Sequence, residues 1–488
     1  MTDPDPQPWL RLDPRMLLVH PAREVVRFLP VLVGILVAGG ASGAGPWGLL
    51  GVGIPVALGL VRYLTTSYRI TGGRVELRRG LVQRHLLSAA IDRVRTVDLT
   101  ATLAHRVLGL ATVVIGTGSV AADADEQLEL DGLPREQAAA LRVQLLQSGA
   151  AAADDAALPS GTPPVPVVRF APRWLWYAPF TSGGLVAAGA LIGVLSQTTE
   201  LFAVRIDVTE DDLSALTGLA VLGGAVALVA LVVLLAVAGY WVVNAGFSLT
   251  HDGGAWHVRR GLLTTRETSL DETRVAGVTR GEPAALRLAH GARLSAIVTG
   301  LARSGESGAV LVPPAPRDTV ADAASVVLGT PAPMTAPLRA HGPEATRRRY
   351  VRALAGSAPV VLVLVGAVVA GASPALLVVA ALAIGAALAL AWDRARSLGH
   401  TLVEQFVVAR SGSLRRRRDA LATGHVIGWT FRDTWFQRRV GLVTVDATTA
   451  GGQGRITVPD VRVGDAIELA DAATPGLVAP FLRLGSDA

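Results

Sequence analysis

Six apolar stretches, grouped in three pairs, constrain the fold of this 488-residue chain more than any other feature. A helix that crosses the hydrocarbon core of a bilayer needs about 20 predominantly apolar residues. The stretches near this length are Phe28–Ala44, Trp47–Leu64, Trp176–Ser196, Leu219–Val243, Ala353–Ala370 and Pro374–Trp392. They predict three transmembrane hairpins, at 28–64, at 176–243 with an extracytoplasmic loop at 197–213, and at 353–392. A cleaved signal peptide is a weaker interpretation of the first stretch, because another apolar stretch follows within a few residues.

A polar region follows each hairpin, and the three polar regions share a set of spaced residues. Two glycines, 29 or 30 residues apart, mark each copy: Gly80 and Gly109, Gly261 and Gly291, and Gly412 and Gly441. Such self-similarity indicates one supersecondary unit that is used repeatedly. We expect the first glycines of the three copies to superpose. We expect the second glycines to adopt positive φ where a short segment such as Leu103–Leu108 meets the next strand.

Within each copy the pattern favours short antiparallel strands followed by one helix. The first copy has a hairpin pattern at Tyr68–Leu77 and β-branched runs at Val94–Leu99 and Ala111–Gly116. The predicted final helices are Pro134–Gln147, Pro316–Leu328 and Val463–Ala472. In the first of these helices the apolar residues at helical spacing are Ala138, Leu141 and Leu145. Each copy is therefore predicted to be a small β-barrel or sandwich that is closed by a C-terminal helix.

The ordered motifs of the first copy resemble a known family. They are Y-x-I-T from Tyr68, R-x-G-L from Arg78, R-V-x-x-V from Arg93 and R-x-x-G-L from Arg106. This order is similar to that of the bacterial pleckstrin-homology-like (PH-like) domains of YdbS/YdbT-type membrane proteins. The resemblance implies a YdbT-like architecture, in which paired membrane helices precede each of three α+β domains, at 65–149, 244–330 and 393–488. The third copy lacks the first Arg-Gly-Leu and the Arg-Val pair.

Arginines flank the apolar stretches almost entirely on one side. Twelve lie beside the N-terminal segment 1–27, the linkers 150–168 and 331–352, and the three copies, whereas the opposite loops contain only Arg205. The twelve are Arg23, Arg27, Arg62, Arg69, Arg169, Arg173, Arg347, Arg348, Arg349, Arg352, Arg394 and Arg396. Because positive flanks stay in the cytoplasm, both termini and all three domains are predicted to be cytoplasmic. The predicted fold is thus a multi-pass cell-membrane protein with six transmembrane helices and three cytoplasmic PH-like domains.

The sequence contains no motif that predicts catalysis or cofactor binding. It has no cysteine, its nine histidines show no metal-ligand spacing, and no phosphate-binding glycine loop follows a strand. We therefore predict no catalytic, cofactor-binding or metal site, and we predict that the protein is not an enzyme. The cores of the six apolar stretches contain no charged residue. This favours anchoring over transport, because intramembrane charges mark transport paths.

Arginine clusters are the main binding candidates. They are Arg78, Arg79, Arg84, Arg93 and Arg95 in the first copy, Arg259, Arg260, Arg266 and Arg274 in the second, and Arg415–Arg418 in the third. A solvated strand face explains such runs, and attraction to anionic lipid headgroups is the alternative. We predict a scaffold or interaction module of the cell envelope, with a transporter or export accessory component as the alternative. The expected partners are the lipid bilayer and an unidentified protein in the membrane, with anionic headgroups as a further candidate and no nucleic acid.

Overall fold

The fold is that of a computed structural model of the chain. The structure describes residues 9–17, 64–71, 73–79, 85–90, 94, 96–116, 128–150, 165–181, 215–299 and 309–478, with the single positions 183, 184, 186, 189 and 193. The predicted hairpin 28–64, apart from Leu64, and the predicted loop 197–213 lie outside these residues. The chain divides into two compact units. The first combines the residues up to Pro166 with Ala245–Arg274, and the second contains Val167–Asn244, Val275–Thr299 and the C-terminal part.

The described residues contain twenty β-strands. In chain order they are β1 (Leu10–Arg11), β2 (Ser67–Thr71), β3 (Arg74–Arg79), β4 (His85–Ala90), β5 (Thr96–Ala101), β6 (Leu110–Gly116), β7 (Leu128–Pro134), β8 (Pro166–Arg169), β9 (Ser248–Asp252), β10 (Ala255–Arg260), β11 (Thr265–Asp271), β12 (Val275–Pro283), β13 (Gly291–Val298), β14 (Val310–Pro316), β15 (Gly399–Val403), β16 (Phe406–Ser411), β17 (Arg415–Ala422), β18 (Gly428–Arg432), β19 (Leu442–Thr448) and β20 (Arg455–Arg462). The alternation in β3 is typical: Val75 and Leu77 are buried, whereas Arg74 is exposed.

Ten α-helices lie in the same part of the chain. They are α1 (Leu103–Leu108), α2 (Arg135–Ala150), α3 (Ala215–Asn244), α4 (Ala284–Leu288), α5 (Arg317–Leu328), α6 (Ala332–Thr335), α7 (Gly342–Val369), α8 (Ala375–Ser397), α9 (Trp435–Arg438) and α10 (Val463–Ala473). Local signals fix their ends. Thr102 caps α1 by accepting a hydrogen bond from the His105 N–H, and Thr434 with Gln437 forms a capping box on α9.

The first unit packs two antiparallel sheets around one apolar core. One sheet has the order β1-β2-β3-β4, and in the other the strands of this unit run β7-β6-β5-β11-β10-β9. Val75 from the first sheet and Val113 from the second belong to the same core. Helix α2 adds Ala138, Leu141 and Leu145 to it, and all three are buried, which confirms the prediction from their spacing.

The second unit repeats this arrangement with later elements. Its larger sheet has the order β14-β13-β12-β17-β16-β15, and a smaller sheet has the order β18-β19-β20. Leu421 of the larger sheet and Val445 and Val458 of the smaller one share a core with Ala466 and Leu469 of α10. The closing helix again buries one apolar face, as its sequence pattern predicts.

The segment predicted as the second domain, 244–330, contributes to both units. Its first three strands, β9–β11, extend the sheet of the first copy, because β11 pairs antiparallel with β5. Its last three strands, β12–β14, share a sheet with β15–β17 of the third copy through antiparallel pairing of β12 with β17. Successive copies therefore share sheets, which the sequence did not predict.

One local geometry occurs in all three copies. One residue shortly after α1, α4 and α9 adopts the left-handed backbone conformation. These residues are Gly109 (φ 70°), His290 (φ 60°) and Gly441 (φ 64°). The carbonyl oxygen of each accepts a hydrogen bond from the first N–H of α2, α5 or α10, over 3.0, 3.1 and 3.2 Å respectively. A register shift between the next two strands follows in each copy. The closing helix is thus attached to the sheet in the same way three times.

The predictions for the glycines are confirmed in part. Gly109 and Gly441 are left-handed as expected, but the prediction for Gly291 is wrong, because His290 takes this conformation instead. A side chain on Gly291 would come within 2.7 Å of Tyr177 and Leu286, so close packing explains that glycine. The opening glycines Gly261 and Gly412 both have positive φ, 108° and 95°. At both positions a side chain would clash with the carbonyl oxygen of the residue three positions later. Gly80 lies outside the described residues.

Three helices among the described residues are long and apolar enough to cross a membrane. They are Gly223–Asn244 within α3, Gly342–Val369 and Ala375–Ser397. These helices contain the predicted stretches Ala353–Ala370 and Pro374–Trp392 almost completely, and α3 covers the predicted Leu219–Val243. Helices α7 and α8 contact each other along their length as a hairpin.

Two predicted boundaries are wrong. The linker 331–352 is largely helical, because α7 begins at Gly342 and its polar first turns are held by ion pairs described below. The apolar stretch predicted from Trp176 begins too early. Residues up to Phe180 form a 3-10 helix from Pro172, in which Tyr177 and Ala178 are buried.

Candidate functional site

The structure places the predicted arginine clusters on three different sheets. The described members are Arg78 and Arg79 on β3, Arg259 and Arg260 on β10, Arg266 on β11, Arg274 in a 3-10 helix, and Arg415–Arg418 on β17. Arg84, Arg93 and Arg95 lie outside the described residues. The clusters therefore do not share one sheet face, and each has to be considered by itself.

The arginines on β17 belong to a row of like charges. Arg418 lies directly opposite Arg410 of β16 and Arg280 of β12, and like charges in such positions repel. Arg418 is buried and donates to the carbonyl oxygens of Pro333, over 2.9 Å, and Ala336, over 2.8 Å. Burial, followed by the charges of Arg280 and Arg410, lowers the pKa of Arg418 to about 10.

Glu282 offsets part of this repulsion. Its Oε1 lies 3.0 Å from Nε of Arg280 and 3.2 Å from Nε of Arg317. Glu282, Arg280 and Arg418 are all less than a tenth exposed, and buried charges have to be paired or hydrogen-bonded to be tolerated. The interpretation as a solvated strand face is therefore wrong for Arg418. The arginines of this row have partners within the fold and do not offer a free anion site.

Asp393, near the end of α8, attaches that apolar helix to the third copy. Its Oδ2 accepts hydrogen bonds from Nη2 of Arg287, over 2.9 Å, and from Oγ of Ser413, over 2.7 Å. Its Oδ1 accepts from Nη2 of Arg416 over 2.6 Å. One carboxylate thus joins the helix end to the turn before β17 and to α4.

Arg410 strengthens the same attachment at the C-terminus of α8. Its Nε donates to the carbonyl oxygen of Ser397 over 3.0 Å, and its Nη2 donates to that of Arg396 over 3.1 Å. The last carbonyl groups of a helix lack intrahelical partners, and the helix dipole favours a cation there. The arginine row is therefore anchored to the helix end.

Asp460 makes the corresponding attachment for α7. Its side chain is only 1% exposed, and it accepts hydrogen bonds from Arg348 and, over 2.8 Å, from Nε2 of Gln437. Nη2 of Arg349 lies 2.6 Å from Oδ2. Asp460 itself is left-handed, with φ 57°, a conformation that aspartate tolerates better than most residues. Both helices of the α7–α8 hairpin are therefore joined to the third copy by carboxylate–arginine pairs.

An Asp–Thr pair lies at each of the two strand pairings that join successive copies. The Asp lies on the earlier strand at the β5–β11 pairing and on the later strand at the β12–β17 pairing. In the first, Asp98 of β5 lies opposite Thr268 of β11 and accepts a hydrogen bond from it. In the second, Thr279 of β12 donates to Asp419 of β17, with 2.7 Å between Oγ1 and Oδ1. Burial raises the pKa of both carboxyl groups. The sequence interpretation missed this exchange.

The comparison with protein families identifies the type of domain. The family model described as "Bacterial PH domain" matches residues 24–148 and 360–474. Two segments of the chain are bacterial PH domains. This confirms the predicted resemblance. Each matched segment includes apolar residues ahead of the sheet, whereas the second copy, 244–330, lies outside both. No curated protein and no solved structure matches the chain.

The first PH domain contains a Thr-His-Asp arrangement that has a structural explanation. Nδ1 of His105 lies 2.6 Å from Oγ1 of Thr102, and its Nε2 lies 3.2 Å from Oδ1 of Asp131. Thr112 also donates to Asp131, over 2.5 Å. Because His105 is buried and Thr102 caps α1, the group stabilises the turn before β6. No cluster of three possible metal ligands occurs among the described residues.

A buried histidine pair lies beside α7 in the third copy. Nδ1 of His341 donates to the carbonyl oxygen of Pro459 over 2.9 Å, so its Nε2 can accept from Nδ1 of His400 over 3.0 Å. Burial, followed by the neighbouring His341, lowers the pKa of His400 to about 4. Burial also lowers the pKa of His341. Both imidazoles are therefore neutral near pH 7, and they contribute to the joint between α7 and β15.

Proposed function

We propose that this bacterial PH-domain protein is a multi-pass scaffold of the cell envelope, in which six membrane helices carry three cytoplasmic PH-like domains and no reaction is catalysed. The observation that carries the proposal is the attachment of the α7–α8 hairpin. Asp460 holds the start of α7 and Asp393 holds the end of α8. Attachment at both ends fixes the position of the domain relative to the hairpin that anchors it.

The composition of the apolar helices supports anchoring. Residues 223–243, 353–369 and 375–392 contain no Asp, Glu, Lys, Arg or His. Ionisable groups within the bilayer mark proton relays and many transport paths, and they are costly to place there without a function. The charged residues of α7 and α8 lie near the outer helix ends, where Arg348, Arg349 and Asp393 contact the third copy.

The shared geometry supports a PH-like identity for the second copy as well. His290 accepts the first N–H of α5, as Gly109 and Gly441 accept those of α2 and α10. Gly261 also opens the second copy with a positive-φ turn, as Gly412 opens the third. Three domains of one type on one chain suit a scaffold that binds proteins or lipids.

Two experiments test this proposal. A reporter that is active only outside the cytoplasm should work when fused at Asp207 and fail when fused at Ser119 or Ser304, because of the arginine asymmetry. Purified protein in liposomes should move no solute above the level of protein-free liposomes. Uptake that a substitution in the apolar helices abolishes would refute the scaffold and favour the alternative, a transporter or export accessory component.

A further inference from the structure

Large apolar side chains are exposed on short helices and turns in each copy. They belong to the short helices α1, α4 and α9 and to the turns 261–264 and 412–414. They are Leu103, Val107, Leu262, Leu263, Leu288, Leu414, Trp435 and Phe436, each between 40% and 85% exposed. We call this set the apolar rim. Large apolar side chains that stay exposed in a group are a feature of binding surfaces.

In the third copy, the rim lies beside the start of an apolar helix. Nη2 of Arg348 in α7 donates to Oγ1 of Thr434 over 3.2 Å, and Trp435 and Phe436 follow directly. The charge-free part of α7 begins at Ala353, which is about 7–8 Å further along the helix axis at 1.5 Å per residue. Trp435 and Phe436 are therefore held near the level at which α7 would enter a bilayer.

In the second copy, the rim lies beside the end of α8. The N–H of Ala284 in α4 donates to the carbonyl oxygen of Leu414 over 2.8 Å, which joins α4 to the turn 412–414. Asp393 contacts both of these elements through Arg287 and Ser413. Asp393 directly follows Trp392, the last residue of the apolar stretch. The exposed Leu288 and Leu414 are thus fixed at the end of this helix.

The first junction has the same plan. Nη1 of Arg106 in α1 donates to the carbonyl oxygen of Leu262 over 2.8 Å. The N–H of Gly261 donates to the carbonyl oxygen of Ala245 over 2.9 Å, and Ala245 directly follows α3. The turn that carries Leu262 and Leu263 is therefore attached to the residue that directly follows α3.

We infer that the apolar rim inserts into the lipid headgroup region of the bilayer that the apolar helices cross. Trp435 and Phe436 are residues of the kind found at membrane interfaces. The guanidinium of Arg439 lies 3.7 Å from the centre of the Trp435 ring, and Arg438 precedes it, so cations that suit anionic headgroups flank the aromatic pair. The inference rests on the proposed membrane anchorage and adds a second, peripheral contact for each copy.

Spin labels on the full-length protein test the inference, since the chain has no cysteine of its own. Single Val107→Cys, Leu288→Cys and Phe436→Cys variants are labelled in liposomes of phosphatidylethanolamine and phosphatidylglycerol. The measured quantity is the ratio of collisions with oxygen, which concentrates in lipid, to collisions with a nickel chelate, which stays in water. These side chains are 85%, 79% and 68% exposed, so labelling leaves the fold intact.

Two control positions calibrate the measurement. Gln405→Cys lies at the other end of β16 from the turn 412–414, about 20 Å away at 3.3 Å per residue. Val363→Cys lies on the exposed surface of α7. We expect the ratio at the three rim positions to be severalfold higher than at Gln405→Cys and to approach the ratio at Val363→Cys.

The contrary outcomes separate the inference from the function on which it rests. Rim labels that report water as fully as Gln405→Cys, while Val363→Cys reports lipid, overturn the inference and leave the anchorage intact. The same result is expected if the rim binds a protein partner in the cell instead of lipid, because that partner is absent from the liposomes. If Val363→Cys itself reports water, the proposed membrane anchorage fails, and the inference fails with it.

Discussion

Replacement of Asp460 by Asn tests the joint between α7 and the third copy. Asn keeps the shape of the side chain and tolerates the left-handed backbone of Asp460, but it removes the negative charge. Arg348 and Arg349, whose side chains are 14% and 16% exposed, are then left without this carboxylate. Removing one partner of a buried ion pair costs about 3–5 kcal/mol. This cost is a large fraction of the usual net stability of a domain, which is about 5–15 kcal/mol.

The assay is thermal unfolding of the full-length protein in detergent, compared with a matched surface variant. A loss of about 3 kcal/mol lowers the Tm of a domain by about 6 °C or more. Asp433→Asn is the control, because Asp433 is 41% exposed and lies 3.7 Å from Arg438. Exposed pairs of this kind contribute under about 1 kcal/mol. Equal Tm values for Asp460→Asn, Asp433→Asn and the unchanged protein would refute the reasoning.

Three further predictions concern the buried histidine, the left-handed His290 and the Asp–Thr pair at the second junction. Acid should destabilise the protein between about pH 6.5 and pH 4. Burial lowers the pKa of His400 to about 4, so the unfolded chain takes up a proton at higher pH than the folded protein does. In His400→Gln, the dependence of Tm on pH should be weaker. His290→Gly should raise stability by up to about 1 kcal/mol in urea unfolding, since glycine adopts positive φ without strain, and a larger gain from His290→Val would contradict this. Thr279→Asp should destabilise the protein by about 2 kcal/mol, because two carboxylates would face each other across the strands. The double exchange Thr279→Asp with Asp419→Thr should restore Tm, since it recreates the arrangement of Asp98 and Thr268. Failure of the exchange to restore Tm would show that the two junctions are not equivalent.

Local sequence patterns predicted the elements that depend on nearby residues. The apolar period of Ala138, Leu141 and Leu145 predicted the buried face of α2, and the length of the apolar stretches predicted α7 and α8. Gly109 and Gly441 were assigned correctly because a helix end and a left-handed glycine form a local pair.

Contacts between distant residues could not be predicted in this way. The extension of α7 back to Gly342 depends on Asp460, more than a hundred residues later. The pairing of β5 with β11 and of β12 with β17 joins different copies, and strand periodicity does not specify a partner. The second copy added a further difficulty, because His290 and not Gly291 is the equivalent of Gly109. When the copies are aligned on Gly109 and Gly291, Thr279 falls one position away from Asp98, so the alignment does not reveal the exchange of Asp and Thr at the junctions.

The pairing of β12 with β17 is the central structural claim, and disulfide formation in native membranes tests it directly. Val278 and Ala420 lie directly opposite each other on these strands, a separation that a disulfide can bridge. The chain contains no other cysteine, so Val278→Cys with Ala420→Cys should form an intramolecular cross-link under mild oxidation. Val278→Cys with Leu421→Cys should not, because adjacent strand positions face opposite sides of the sheet. Equal cross-linking of the two pairs, or none in the first, would contradict the shared sheet.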